Sequence, residues 1–533
     1  MNKKAKVVII GGGISGCSTA YNLAKKGVKD IVVVEKAYIS SGATGRCGAG
    51  VRMQWGTEMN CKLAKQSIEF YENANEILGY NRDVEFKQGG YLLIASTDTE
   101  MEQFAKNVKL QNSLDIPSKI VSLEEAKEIV PHLNTEGLTG AAFCPKDGFL
   151  NPFKTTDAFY QAAKKLGVEF LTHTEVLEIK TNGKKIEKVV TDQGDIITDT
   201  VVNAAGGHSK LICDMVGVDL PVYSERHQIL VTEPVEPMQD PMVMSFSLNM
   251  YCQQTPEGTF IMGRGDDNEP RDLRTTSSWE FMDEMAKTVT SVLPPLGELR
   301  VIRQWAGLYN MTPDKQPVYG RVEEVDNFFL SVGFSGHGFM FGPLTGIVIS
   351  EMILGEEPSI DVSMLGIDRF EKGNLILEPS VVWCYTLFGR IINTKELLKF
   401  RRWTMRVKRL IKDESKCIGC GKCEEACSQA YFKENNPEKS RVRVEGMGQW
   451  NKLTICTQCG ACMEVCPTLA LQRDKNGVVK LNKKDCVGCF MCVGFCPEDA
   501  MMQHDDEREP FKCVACGICV DACPTGALSI REF

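Results

Sequence analysis

The apolar positions near the N-terminus come in short blocks. Val7–Ile10 is an apolar run, Ile14–Lys26 has helical periodicity, and Ile31–Val34 is a second apolar run. Two such runs around one helix predict a βαβ unit. Helical periodicity recurs over roughly Glu58–Leu78, Thr155–Leu166 and Ser278–Val292, and strand patterns over Val168–Leu171, Ile196–Asn203 and Phe328–Val332. Turn residues at Asn182–Lys184 and Gln193–Gly194 punctuate a short meander. This mixture over residues 1–370 predicts an α/β fold, a doubly wound domain with an inserted, mostly antiparallel substrate domain. Residues 371–412 read as a connector: Leu375–Leu377 and Val381–Leu387 are mostly apolar, and Arg401–Lys412 carries six Lys/Arg and no acid. The last stretch predicts a basic helix, either a solvated face or a contact for anionic lipid or an acidic partner. Residues 413–533 form a short part dominated by cysteine.

At 533 residues the chain is too long for a single core. A hydrophobic fraction of 43% and a charged fraction of 25% exclude a disordered chain. The net charge of -9 gives no basic footprint for nucleic acid. No apolar run approaches the roughly 18 residues of a spanning helix, so no transmembrane segment is expected. The N-terminus passes almost at once into Val7–Ile10 with no export signal, which predicts a reducing, cytoplasmic location. There, dense cysteine means metal rather than disulfides. Of 23 Cys, sixteen lie between Cys417 and Cys523. The other seven, Cys17, Cys47, Cys61, Cys144, Cys213, Cys252 and Cys384, form no close pair and read as ordinary thiols.

Gly11-Gly12-Gly13-Ile14-Ser15-Gly16 fits G-x-G-x-x-G between the first strand and its helix. Glycines let the backbone approach a pyrophosphate, and the helix N-terminus supplies N–H groups. Glu35 ends the second strand 19 residues after Gly16, placed for a ribose hydroxyl. The motif by itself does not choose between NAD and FAD. Three further segments bear on the choice: Ser40–Arg46, the strand Val201–Asn203 ending in Ala204-Ala205-Gly206, and Gly333-Phe334-Ser335-Gly336-His337-Gly338-Phe339-Met340 leading to Pro343. The last predicts a helix with Pro343 in its first turn and N–H groups aimed at an electron-rich flavin edge.

Together these segments resemble the D-amino-acid-oxidase-like family of FAD-dependent amine oxidoreductases over about residues 5–370. Within it the chain is most similar to the group of sarcosine oxidase and the dye-linked L-proline dehydrogenase β subunit. Arg46–Arg52, Arg226–Leu230, Trp305–Leu308 and Thr312-Pro313-Asp314 carry that likeness. The resemblance implies an extended FAD, with adenine toward Glu35 and isoalloxazine toward residues 46–55 and 335–342. The cofactor-binding set it implies is Gly11, Gly13, Ser15, Gly16, Glu35, Lys36, Ser41, Thr44, Arg46, Val176, Gly206, Gly336, Gly338, Phe339 and Met340.

The resemblance also makes Arg52 the clamp for a substrate carboxylate, a role that suits a planar guanidinium; a structural ion pair is the other reading. Arg303 is a weaker candidate. His337 lies in the flavin-facing turn and is expected to position rather than to transfer protons. His208 and His227 read as structural. Trp55 and Tyr251 are candidates for walls of an apolar pocket, or simply core. Met340 stands where sarcosine oxidase has a carboxylate-holding lysine, and Asn249–Gly263 contains no lysine for oxygen activation. These departures predict a dehydrogenase that reacts poorly with oxygen. Its implied chemistry is hydride transfer from a carbon beside the amine to flavin N5.

In the cysteine part, four runs share C-x2-C-x2-C-x3-C: Cys417, Cys420, Cys423, Cys427; Cys456, Cys459, Cys462, Cys466; Cys486, Cys489, Cys492, Cys496; and Cys513, Cys516, Cys519, Cys523. Pro467, Pro497 and Pro524 follow three of them, and Ser428 follows the first. This is the bacterial 4Fe–4S pattern, in which the fourth cysteine ligates another cluster, so sixteen ligands predict four clusters in an α+β ferredoxin-like domain. Spacing leaves adjacent and nested pairing of the runs open. The segment resembles four-cluster ferredoxin-like electron-transfer subunits, which implies nesting of run one with four and two with three.

The whole reads as a FAD-dependent dehydrogenase of an amino acid or N-substituted amino acid. Electrons pass through the clusters to a protein or quinone-type acceptor, with further subunits of a dehydrogenase complex as candidate partners. Oxidation of a 2-hydroxy acid or glycerol-3-phosphate, and an electron-transfer subunit without a substrate of its own, remain as alternatives.

Overall fold

Val7–Ile10 and Ile31–Val34 are buried at every position because both faces of their sheet are covered. The structure is a computed structural model and describes residues 3–266, 269–380, 408–446 and 451–532, except 465, 467, 469, 475, 495 and 497. Val381–Leu387, Arg401–Arg406, Cys384, Pro467 and Pro497 thus lie outside the described residues. Contacts divide the chain into two compact units, Met1–Gly389 and Arg390–Phe533.

The first unit is built on a six-stranded sheet in the order Val318–Arg321, Phe328–Val332, Val201–Asn203, Val7–Ile10, Ile31–Val34, Glu169–Leu171. It is parallel throughout except at the Val318–Arg321 edge. Helices Ile14–Lys25, Pro152–Lys165 and Gly338–Leu354 pack together against it. A second sheet has eight strands and is antiparallel apart from the pairing of Met242–Ser245 with Tyr91–Ala95. A four-stranded sheet joins Lys3–Lys4 to the meander Val176–Asn182, Lys185–Thr191, Gly194–Ile197. The doubly wound core with a mostly antiparallel insertion is therefore present.

Several expectations are corrected. Ile196–Asn203 is two strands in different sheets, because Thr198 Oγ1 accepts the Thr200 N–H at 3.3 Å and turns the chain. Glu58–Leu78 breaks at Asn73, whose amide donates to Glu69 O at 2.9 Å. The described end of the basic stretch, Lys408–Lys412, is a strand paired antiparallel with Leu528–Glu532, not a helix. Residues read as connector up to Ser380 belong to the first unit: Glu378 accepts from Gly56 N at 2.6 Å, Asn60 Nδ2 at 2.7 Å and Thr57 Oγ1 at 2.9 Å. Pro343 lies inside the helix Gly338–Leu354 rather than in its first turn. Proline lacks the N–H that would bond Phe339 O, and Tyr71 Oη donates to that oxygen instead, at 2.6 Å.

In the second unit, helices Ala461–Glu464, Met491–Gly494 and Ile518–Asp521 last one turn. Lys422–Phe432 runs for 11 residues. Ser428 keeps an N–H and fits a helix interior, so the first run has no proline stop.

Candidate active site

The glycine turn is a close-approach site. Gly11 has φ of +119°, and a Cβ there would lie 2.3 Å from Ala204 O; one on Gly16 would lie 2.0 Å from Gly11 O. Gly13 is the N-cap of Ile14–Lys25 and has no side chain of its own to cap that end. Thr44 Oγ1 accepts the Ile14 N–H at 3.1 Å, and Ser15 is buried beside it in the first turn. The remaining first-turn donors and the helix dipole suit a pyrophosphate.

Glu35 accepts from Gly12 N at 2.7 Å, Ala37 N at 2.8 Å and Ser41 Oγ at 3.1 Å. Its carboxylate is thereby fixed at the strand end where a ribose would lie. Lys36 pairs with Glu175 at 2.7 Å. Val176 opens the strand that leaves this corner, and Gly206, at φ of +53°, opens a single turn after Val201–Asn203. His208, in that turn, is held below its ordinary pKa first by burial and then by Lys36.

Arg46 ties the Ser40–Arg46 segment to the second sheet. Its Nε donates to Ser41 O at 3.1 Å, a guanidinium N–H donates to Ala306 O at 2.9 Å, and its own carbonyl accepts from Trp305 Nε1 at 3.1 Å. A Cβ on Gly307 would come within 3.1 Å of the Arg46 side chain, which accounts for the small residue in Trp305–Leu308. The buried Ser40 Oγ nearby has no partner among the described residues. The close-packed turn, the helix end with its remaining first-turn donors and the fixed Glu35 fit the adenosine diphosphate half of FAD.

Arg52 and His337 are brought together. The Arg52 guanidinium lies 4.0 Å above the Trp55 ring and 5.5 Å from Phe246, and a guanidinium N–H donates to Gln54 O at 2.5 Å. His337 meets Trp55 edge-on at 4.5 Å and caps Gly338–Leu354 without a side-chain bond to the helix. Arg52 is 2% exposed, and among the described residues no carboxylate is within ion-pair distance. Burial lowers its pKa, opposed by Tyr91, Glu378 and Asp147. Burial also holds His337 down at about 3, with Arg52 and Lys315 adding to the effect.

Gly336, at φ of +94°, turns the chain beneath the Tyr309 ring, and Gly338 opens the helix against Phe334. Phe339 and Met340 are buried in the main core, Phe339 O being the acceptor for Tyr71. Tyr251, on Met250–Gln254, packs in one cluster with Tyr91 and Phe246. It is also stacked 6.0 Å from His227, which in turn stacks 4.3 Å from Tyr309.

Sequence reasoning passed over Tyr309, Lys315 and Asp147. Asp147 is fully buried; it accepts from Met53 N at 2.8 Å and Gln54 Nε2 at 3.0 Å, and so holds the loop that carries Arg52. Burial raises its pKa to about 7 against those hydrogen bonds. No motif marks Asp147, because its partners lie 93 and 94 residues away. Arg303 is exposed over Trp305, away from the constellation. Asp314 of Thr312-Pro313-Asp314 forms a buried ion pair with Arg369 at 2.8 Å.

In the second unit one pocket is lined by Cys456, Cys459 and Cys462 together with Cys496. A second is lined by Cys513, Cys516 and Cys519 together with Cys427. Cys466 and Cys496 each accept a backbone N–H at 3.3 Å, from Ala470 and Ala500, and Cys427 accepts one from Arg441 at 3.4 Å. Three thiols of one run plus a fourth from another is the donor set of a 4Fe–4S cluster. The six described cysteines outside these runs are buried or half-buried.

The family model for FAD dependent oxidoreductases matches residues 6–352. Two models of 4Fe-4S dicluster domains match residues 414–470 and 449–497, and a 4Fe-4S binding domain matches 508–529. Sarcosine oxidase subunit beta of Rhodobacter capsulatus is 28% identical over 382 residues, spanning 70% of this chain and 91% of that protein. The crystal structure of L-proline dehydrogenase from P. horikoshii is 37% identical, covers 70% of this chain and 100% of its own, and superposes with a TM-score of 0.67. Glycine oxidase from Geobacillus kaustophilus, 22% identical with a TM-score of 0.64 over 69% of this chain and 99% of its own, shares the fold. No helix among the described residues is long and apolar enough to cross a membrane. The chain therefore belongs to the FAD-dependent oxidoreductases, as an enzyme whose flavoprotein part is joined to 4Fe–4S domains.

Proposed function

We propose that the enzyme is a dehydrogenase of an amino acid or N-substituted amino acid, and that its electrons leave through four 4Fe–4S clusters to an external acceptor. The observation that carries this reading is Arg52. A guanidinium buried without a carboxylate is costly to keep, and its cost is offset when a ligand supplies the anion. A substrate carboxylate fits, since the planar donors take both of its oxygens. The names of the similar sarcosine oxidase subunit and proline dehydrogenase support an amine bearing such a group.

FAD supplies the hydride acceptor when bound, and the clusters supply single-electron conduction. Arg52 fixes one end of the substrate, so that the carbon beside the amine is presented in one orientation. Trp55, Phe246 and Tyr251 exclude water around it. His337, kept neutral, adds no second cation to compete for the carboxylate. The N-terminus of Gly338–Leu354 offers partial positive charge toward an electron-rich edge. Asp147 keeps the Arg52 loop in place.

Met340 and the lysine-free stretch Asn249–Gly263 support a dehydrogenase rather than an oxidase. The two cavities support nested pairing, with Cys427 completing the fourth run and Cys496 the second. In the same sense, Cys492 has Cys466, Cys486 and Cys489 close enough to oppose its ionisation.

The test is anaerobic. L-proline, sarcosine and other carboxylated amines are mixed with the enzyme and the flavin absorbance is followed. Bleaching by at least one of them, shifted to much higher amine concentration in Arg52→Ala, supports the proposal. Bleaching only by 2-hydroxy acids, or by no metabolite, overturns it.

A further inference from the structure

Lys512 immediately precedes the first cysteine of the last run, yet it is only 4% exposed. It lies in the short strand Phe511–Lys512, opposite Met501, and lines the cavity of Cys456, Cys459, Cys462 and Cys496. Its Nζ donates to Gln458 Oε1 at 2.9 Å, Val479 O at 2.8 Å and Cys513 O at 3.0 Å. All three partners are acceptors, so each N–H of an ammonium is used, whereas a neutral amine has one donor too few.

Gln458 is part of the same construction. It is 1% exposed, its Oε1 also accepts from Val479 N at 3.0 Å, and its Nε2 donates to Cys513 O at 2.9 Å. Among the described residues no carboxylate pairs with Lys512. A cation buried with neutral partners alone lacks its counter-charge. Arg441, which lines the other cavity, is partly exposed and stacks 3.5 Å over Tyr431, so water screens its charge.

We infer that Lys512 is the counter-ion of the cluster held by Cys456, Cys459, Cys462 and Cys496 and raises its reduction potential. This rests on the nested pairing proposed above. An iron–sulfur cube with four thiolates is anionic, and taking up one electron adds one more negative charge. A fixed ammonium in a low-dielectric setting stabilises the reduced form more than the oxidised form. Lys512 thereby makes this cluster a favoured resting place for an electron on its way out. It is a positioning charge, not a ligand.

The experiment is a potentiometric titration of the full-length holoenzyme with dithionite, each cluster being followed by electron paramagnetic resonance. In Lys512→Met, one midpoint is expected to fall by a tenfold or larger change in its reduction equilibrium, which is 59 mV for one electron. Gln458→Glu, which sets a carboxylate against the ammonium, is expected to move the same midpoint in the same direction. Lys512→Arg, which keeps the charge, is expected to leave it within about twofold. Unchanged midpoints in Lys512→Met and Gln458→Glu at wild-type iron content overturn the inference. So does loss of the cluster in both, because Lys512 then serves assembly and not potential. If the wild type has no signal that Cys496→Ser removes, the cavity reading itself fails; if that signal exists but is unmoved in Lys512→Met, only the role of Lys512 fails.

Discussion

Arg52 is held by Trp55 stacking and by one bond to a backbone oxygen, and neither neutralises it. Its remaining donors are thus open to an anion supplied by a ligand. Charge-assisted hydrogen bonds contribute about 1.5–3 kcal/mol, so Arg52→Ala should raise KM for a carboxylated amine roughly 10- to 150-fold. A larger effect on KM than on kcat identifies a clamp that holds substrate and transition state alike. Arg52→Lys should recover only part of the loss, because an ammonium does not match two oxygens. Steady-state kinetics with an artificial acceptor measures both.

The neighbouring histidines make a pH prediction. Burial holds His337 near 3 and His227 near 4, against an ordinary 6.5. Below pH 6.5 the unfolded chain binds protons that the folded protein refuses. The stability contributed by the neutral rings is thus fully present above 6.5 and is lost as pH falls toward 3–4. The thermal midpoint of the first unit should drop through that window, and the drop should be shallower in His337→Gln. Parallel curves for the two proteins would contradict the assignment.

At the level of elements, the glycine turn was the most legible feature. A strand, a tight turn and a helix are all local, and Gly11 and Gly16 are required by contacts within the same unit. Gly16→Ala forces a Cβ against Gly11 O, so purified protein should carry at least tenfold less flavin with its iron content unchanged. Loss of iron in parallel would show that the two units do not fold independently.

Elsewhere the local pattern misled because long-range partners decided the outcome. Lys408–Lys412 looks helical by charge but is a strand, because Leu528–Glu532 lies beside it. Ile196–Asn203 reads as one strand in sequence, yet the Thr198 hydroxyl, in the polar Thr198-Asp199-Thr200 stretch, divides it between two sheets. Pro343 lies inside a helix, and Tyr71, far back in the chain, takes over the freed carbonyl. Asp147 was invisible for the same reason: a buried carboxylate bonded across 94 residues leaves no periodic trace.

On the scale of the whole molecule, the cysteine runs identify their own chemistry, but their pairing is a tertiary property. The cavities that set Cys496 with the second run and Cys427 with the fourth favour the nested arrangement. Additivity of iron loss tests it. Cys456→Ser and Cys496→Ser should each remove the same cluster, so the double variant should hold no less iron than either single one. Adjacent pairing predicts that behaviour for Cys496→Ser with Cys513→Ser instead.

The central claim is that electrons taken from a carboxylated amine at the flavin pass into the clusters of the same chain. Rapid anaerobic mixing of holoenzyme with such an amine, following flavin and cluster absorbance together, tests it most directly. Flavin bleaching should come first and cluster reduction after it, at a rate independent of protein concentration. Flavin bleaching that leaves the clusters oxidised, or cluster reduction that scales with protein concentration, would contradict it.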